Sequence, residues 1–249
     1  MSTFVLVPGF WLGGWAWRDV TRELRGLGHD VYPVTLTGLG ERAHLAGPGI
    51  DLETHVADIL GVIRGEDLDE VILVGHSGGG APVTVAADRL PDRVARVVYV
   101  DSGPPADGVA WLDMFDDAER ESVELLIAGP GGGTGLPLPP WDELEAMGSS
   151  LDGIDEAGRE RFARLAAPQP VGTVRQAPRL GADWESLPKT LISSSFPLAQ
   201  VKEMIETGHP MFAALDSPEW RFAELPTGHW PMFSRPGDLA ALLAEETRP

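Results

Sequence analysis

Gly75-His76-Ser77-Gly78-Gly79 constrains this chain more than any other stretch, because it follows the apolar run 71–74 directly and leads into a helical pattern ending near Leu90. A strand that turns into a helix within five residues holds its serine in a strained backbone conformation, and a Cβ at Gly75 or Gly79 would collide with its neighbours. Ser77 is then displayed at the carboxyl end of a buried strand. The helix that starts behind it offers a positive dipole end and a free amide at Gly78 for a developing negative charge. This is the context in which Gly-x-Ser-x-Gly acts as a nucleophile elbow. The competing reading, a glycine-rich turn that holds a phosphate or only packs, lacks support elsewhere. No Gly-Lys-Ser/Thr follows, and neither Gly38-Leu39-Gly40 nor the stretch 131–135 completes a dinucleotide fingerprint.

The surrounding pattern agrees with such a turn. Apolar, β-branched runs at 4–7, 31–36, 71–74 and 94–100 alternate with amphipathic segments, which predicts a mostly parallel sheet covered by helices. In the segment opened by Asp51 as N-cap, Leu52, Val56, Ile59, Leu60 and Ile63 share one helical face. From about 103 to 186 the alternation breaks, with Pro104-Pro105, the glycine run 129–135 and Pro137, Pro139 and Pro140. Helical stretches at 111–128 and 141–147 carry Trp111, Phe115, Leu125 and Trp141, which need burial, so this part is read as a cap inserted over the sheet. The pattern resumes at 190–192, followed by a helix over 198–206, a strand over 220–225 and a last helix opened by Pro236-Gly237-Asp238. A single domain over 1–249 is expected, with its core at 1–102 and 187–249 and the cap at about 103–186; 249 residues, 43% of them hydrophobic, are ample for one core.

Composition removes whole classes of function. With no cysteine, thiolate catalysis, disulfides and cysteine-held metals are excluded, and no metal or organic cofactor is expected. A formal charge of −19 opposes binding to nucleic acid or an anionic membrane, and no basic patch offsets it. No run approaches the roughly 20 apolar residues that span a bilayer, and the first residues do not read as a secretory leader. A soluble, cytoplasmic protein acting on a small molecule is the expectation, with homo-oligomerisation left open.

A serine needs a base, and in a sheet of this kind the base follows the serine in sequence, on the loop after the last strand. His229, in Pro226-Thr227-Gly228-His229, occupies that place. His29, His44, His55 and His209 have no comparable setting, and His76 reads as a packing and hydrogen-bonding residue under the elbow. The second oxyanion donor is expected from the loop after the first strand, where the Phe10 amide would join that of Gly78. Gly9 would let that backbone approach the substrate, and Phe10, Trp11 and Leu12 would wall an apolar pocket, whereas Trp15 and Trp17 read as core.

These carriers together resemble the small α/β-hydrolases that include plant methyl-ester esterases of the salicylate-binding type and the related hydroxynitrile lyases. The likeness runs through residues 4–9 with Gly13-Gly14-Trp15-Ala16-Trp17, then Leu36-Thr37-Gly38-Leu39-Gly40-Glu41-Arg42, the elbow, and Gly228-His229. Pro8 stands where most members have a histidine. The lyases are marked by a threonine in the first loop and a lysine after the catalytic histidine; here those places hold Gly9 and Trp230, so the resemblance implies the esterase branch. It also implies an acid just after the penultimate strand, but residues 191–197 contain no carboxylate. Asp101, ending the run 94–100, is the nearest replacement, and some α/β-hydrolases carry their acid there. Ser194 or Ser195 orienting the imidazole through a hydroxyl is the alternative, with Asp183 and Asp216 behind them.

The reading is therefore a serine esterase, with Ser77, His229 and Asp101 catalytic and a small, apolar or aromatic carboxylic ester, thioester or lactone as substrate. Trp111, Phe115, Trp141, Met147, Trp230 and Met232 would line the pocket or belong to the cap core. Two rivals remain at this level: a lyase-like, non-hydrolytic enzyme, and a ligand-binding sensor with slow turnover, which the missing acid keeps in play.

Overall fold

A computed structural model describes residues 1–130 and 132–247. Gly131, within the glycine run, and Arg248 and Pro249, at the end of the expected domain, lie outside the described residues.

Six strands build the main sheet: β1 (Thr3–Val7), β2 (Asp30–Pro33), β3 (Val71–His76), β4 (Val94–Val100), β7 (Lys189–Ser193) and β8 (Trp220–Glu224). They lie in the order β2-β1-β3-β4-β7-β8, and every pairing is parallel. A parallel sheet needs helical crossovers that cover both faces, which is why β3 is buried at every position and reads as a continuous apolar run. The crossovers near the site are α1 (Arg18–Gly26), α2 (Leu52–Gly65) and α3 (Gly80–Arg89), with α8 (Leu198–Glu206) and α10 (Pro236–Glu245) following later strands. In α2 the Asp51 side chain accepts from the Thr54 amide while the Thr54 hydroxyl serves the Asp51 amide, and Leu52, Val56, Ile59, Leu60 and Ile63 are buried. The apolar run 31–36 is only partly a strand: Val34 and Leu36 are buried in the loop after β2.

The chain passes from β1 outward to β2 and then back across to β3, so the crossovers diverge between β1 and β3. Such a switch point leaves a crevice at the carboxyl ends of the strands. Ser77 and the loop 8–10 stand at that crevice.

Among the described residues, segment 103–186 adds no strand to the main sheet. It holds α4 (Asp117–Ala128), the two-residue strands β5 (Gly135–Leu136) and β6 (Gln169–Pro170) paired antiparallel, α5 (Trp141–Ala146), α6 (Glu156–Leu165) and α7 (Val171–Arg175). The helical stretch expected over 111–128 is broken at Phe115, because Asp116 caps α4 anew with its side chain on the Glu119 amide. Leu125 corrects the burial expectation. α4 buries Val123 and Ile127, and Leu125, two positions from each, falls on the far side and is exposed. A short helix α9 (Pro231–Ser234) follows the His229 loop. Among the described residues, no helix is long and apolar enough to cross a membrane.

Candidate active site

β3 delivers Ser77 with φ +48°, a left-handed conformation that β-carbon-bearing residues avoid. The turn tolerates it because its glycines give way: a Cβ on Gly75 would lie 2.6 Å from Val83 Cγ2, and one on Gly79 would lie 2.7 Å from the Pro8 carbonyl. The Ser102 hydroxyl donates to the Ser77 carbonyl at 2.6 Å and steadies the turn from the β4 side.

His229 Nε2 stands 2.8 Å from Ser77 Oγ, and its Nδ1 stands 2.6 Å from Asp101 Oδ2. Asp101 directly follows β4, also at positive φ (+44°), where that strand runs beside β7 in the sheet. Its carboxylate is held from three further directions: the amides of Ser194 and Ser195 donate to Oδ1 at 2.8 and 3.0 Å, and the Ser195 hydroxyl donates to Oδ2 at 2.5 Å. Burial pushes this carboxyl up. The hydrogen bond and charge of His229, with the Ser195 hydroxyl and Ser194 amide, outweigh it and hold Asp101 below the usual aspartate value. The loop after β7 thus supplies donors to an acid on β4. Ser194 and Ser195 grip the carboxylate rather than the imidazole, and neither Asp183 nor Asp216 pairs with His229.

Two supports fix the imidazole's loop. His76 is fully buried, and its Nε2 donates to the His229 carbonyl at 2.7 Å; burial, with His229 beside it, drives its own imidazole down to about 3, so it stays neutral. From the inserted segment, the Ser150 carbonyl accepts from the His229 amide at 2.7 Å and the Asp152 carbonyl from the Gly228 amide at 3.1 Å. Gly228 has no side chain to obstruct this: a Cβ there would lie 2.6 Å from both carbonyl oxygens.

A two-lobed cavity meets at these residues. The larger lobe, about 500 Å³, is lined by Phe10, Ser77, His229, Trp111 and Met147 and by the polar side chains of His55, Gln169, Thr173 and Gln176. The smaller, about 240 Å³, is bounded by Trp11, Trp111, Phe115, Leu136 and Trp230 and opens onto Ser77 and His229 as well. Phe10 lies against Gly78 so closely that a Cβ there would sit 2.3 Å from the ring. Trp11 is fixed by its indole N–H on the Leu136 carbonyl at 3.1 Å.

The pocket expectation is corrected at four positions. Gly9 packs on the elbow, where a Cβ would lie 2.9 Å from Ser77 Cβ, so its missing side chain lets the backbone approach the nucleophile turn rather than the substrate. Leu12 and Met232 are fully buried in the main core cluster and line neither lobe of the cavity. Trp141 meets the Phe162 ring edge-on at 5.4 Å, inside the packing of the inserted segment. The polar lining of the larger lobe had no local signal in the sequence, since His55, Gln169, Thr173 and Gln176 come together only through the packing of α7 and the strand before it near α2.

A family model described as the alpha/beta hydrolase family matches residues 4–242. The chain is 33% identical to a carbendazim hydrolyzing esterase of Nocardioides sp. (strain SG-4G), over 98% of this chain and 99% of that protein. It is 27% identical to methylesterase 7 of Arabidopsis thaliana, over 97% and 95% of the two chains. Among solved structures it resembles an extracellular alpha/beta-hydrolase from a Paenibacillus species, described as sharing structural and functional homology with tobacco salicylic acid binding protein 2, with TM-score 0.82, 26% identity and 98% of each chain covered. Sheet order, elbow and full-length matches agree, and the chain belongs to the alpha/beta hydrolase family.

Proposed function

We propose that this protein is a serine-dependent carboxylic ester hydrolase that works through an acyl-enzyme, with Ser77 as nucleophile, His229 as general base and acid, and Asp101 as the orienting carboxylate. One observation carries the reading: the unbroken run of hydrogen bonds from Ser77 Oγ through His229 to Asp101, at 2.8 and 2.6 Å. His229 Nε2 takes the hydroxyl proton as Ser77 Oγ bonds the carbonyl carbon, and the amides of Phe10 and Gly78 receive the oxyanion. The tetrahedral species collapses by breaking the bond to the alcohol oxygen, which leaves with the proton held on Nε2. Water, deprotonated by the same nitrogen, then attacks the acyl-enzyme and releases the acid and Ser77. Thioesters and lactones need the same steps.

Segment 103–186 serves in this reading as a cap within a single domain, supplying Trp111 and Met147 to the cavity and the carbonyls that hold the His229 loop. The relatives that act as esterases support a small ester, and the apolar smaller lobe supports an aromatic or branched group on one side of it. The sensor reading rested on a missing acid, and the 2.6 Å bond between Asp101 and His229 supports the hydrolase reading instead. The lyase reading needs a cation after the catalytic histidine, where Trp230 is buried against Phe162.

Hydrolysis of p-nitrophenyl acetate by the wild type and Ser77→Ala tests the proposal. A loss of at least about 1000-fold in kcat on removing the hydroxyl is expected. Equal rates in the two proteins would overturn it.

A further inference from the structure

The polar lining of the larger lobe falls into two pairs. Gln169 and Thr173 satisfy each other and the backbone: Gln169 Nε2 donates to Thr173 Oγ1 at 2.7 Å, its Oε1 accepts from the Trp11 amide at 3.3 Å, and Thr173 Oγ1 donates to the Pro170 carbonyl at 2.7 Å. His55 and Gln176 also line the lobe, and each bonds the protein through one end of its polar group.

His55 Nε2 stands 3.0 Å from the Thr37 carbonyl, a pure acceptor, so this nitrogen carries the proton. Thr37 is itself pinned, its amide and hydroxyl both donating to Asp58 at 2.7 and 2.9 Å. Burial drives the His55 imidazole down, which keeps the ring neutral and leaves Nδ1 as a bare acceptor. Gln176 has its orientation set in the same way: Oε1 accepts from the Glu53 amide at 3.0 Å, in the first turn of α2, so its Nε2 amide protons face the other way. Both residues line the same lobe as Ser77 and His229.

We propose that His55 and Gln176 are specificity-determining residues that bind a carboxamide-like group on the substrate, an N–H donor to His55 Nδ1 paired with an acceptor for Gln176 Nε2. The inference rests on the esterase reading of the same site and narrows its substrate class to esters bearing an amide or N–H heterocycle beyond the ester carbonyl. A cavity wall that offers both a donor and an acceptor discriminates against a purely apolar isostere of such a group.

The experiment compares two p-nitrophenyl esters of equal length and shape, one of 6-amino-6-oxohexanoic acid, ending in a carboxamide, and one of 6-methylheptanoic acid, ending in an isopropyl group. The ratio of kcat/KM, carboxamide over isopropyl, is measured in the wild type, His55→Phe and Gln176→Met, with thermal melts to establish folding. The ratio is expected to fall roughly tenfold in each variant, carried by KM. A ratio unchanged in the folded variants overturns the proposal. A second readout does not depend on turnover: the same esters are titrated calorimetrically into Ser77→Ala with and without Gln176→Met. The Kd ratio is expected to shift by the same factor. If the wild type hydrolyses neither ester nor p-nitrophenyl acetate, the esterase reading fails while this titration still decides the binding pair, and an unshifted Kd ratio overturns it.

Discussion

Asp101 Oδ2 lies 2.6 Å from His229 Nδ1 and at the same time accepts the Ser195 hydroxyl at 2.5 Å, so the acid at the end of β4 is gripped by the loop after β7. The carboxylate is nearly closed off from water, at 6% side-chain exposure against 15% for the imidazole. An acid this enclosed and this fully bonded fixes the tautomer that leaves Nε2 free to accept from Ser77.

Asp101→Asn is expected to lower kcat by about 10³- to 10⁴-fold, following the loss seen when the equivalent acid is neutralised in serine proteases. Ser195→Ala removes one of four bonds to the carboxylate and leaves the imidazole bond in place, so a loss of roughly tenfold or less is expected. Steady-state kinetics on a p-nitrophenyl ester checks both, and a Ser195→Ala defect as deep as that of Asp101→Asn would contradict this division of roles.

Stability should fall as the pH is lowered from about 6.5. His76 titrates near its ordinary value when unfolded but only at about 3 when folded. Between these values the unfolded chain binds the extra proton, so stability rises with pH there at about 1.4 kcal/mol per pH unit from this residue alone. The contribution is complete above about 6.5 and lost as the pH falls toward 3. His55, also driven down by burial, acts in the same direction. Asp101, held low, adds a loss in strong acid, below the ordinary aspartate range. Urea melts between pH 7.5 and 5 are expected to show this slope only below about pH 6.5, shallower there by about 1.4 kcal/mol per pH unit in His76→Phe.

Gly228→Ala would place a Cβ 2.6 Å from the carbonyls of Ser150 and Asp152, and backbone oxygens cannot move aside cheaply. The His229 loop must part from segment 150–152 instead. A destabilisation of about 1–3 kcal/mol is expected, with a fall in kcat of at least about tenfold in the fraction that remains folded. Thermal melts and active-site titration separate the two effects.

Gly78→Ala confronts the Phe10 ring at 2.3 Å, a side chain that is able to swing away. The fold should survive, while the loop that carries the proposed Phe10 donor shifts from the elbow. A drop of about 10²-fold in kcat with little change in KM is expected if the oxyanion donors sit here; a change confined to KM would assign Phe10 to substrate contact alone.

The sequence by itself determined the parts of this protein whose signals are local. The glycines around Ser77 announce a turn that only they permit, Asp51 announces a helix start, and the β-branched runs announce buried strands, because each depends on residues within a few positions of one another. His229 was legible through its order in the chain after the last strand. Only the tertiary structure decided which groups meet across the sheet. Whether Asp101 or the serines after β7 faced the imidazole depended on two strand ends that are adjacent in space and 93 residues apart in sequence. The same holds for the pocket. An apolar side chain gains as much from a core as from a cavity wall, so Leu12, Trp141 and Met232 read like Trp111 and Trp230 until the packing set their directions. The placement of His55 and Gln176 in the cavity was the least legible of all, since it is set by the distant backbone groups that each side chain bonds.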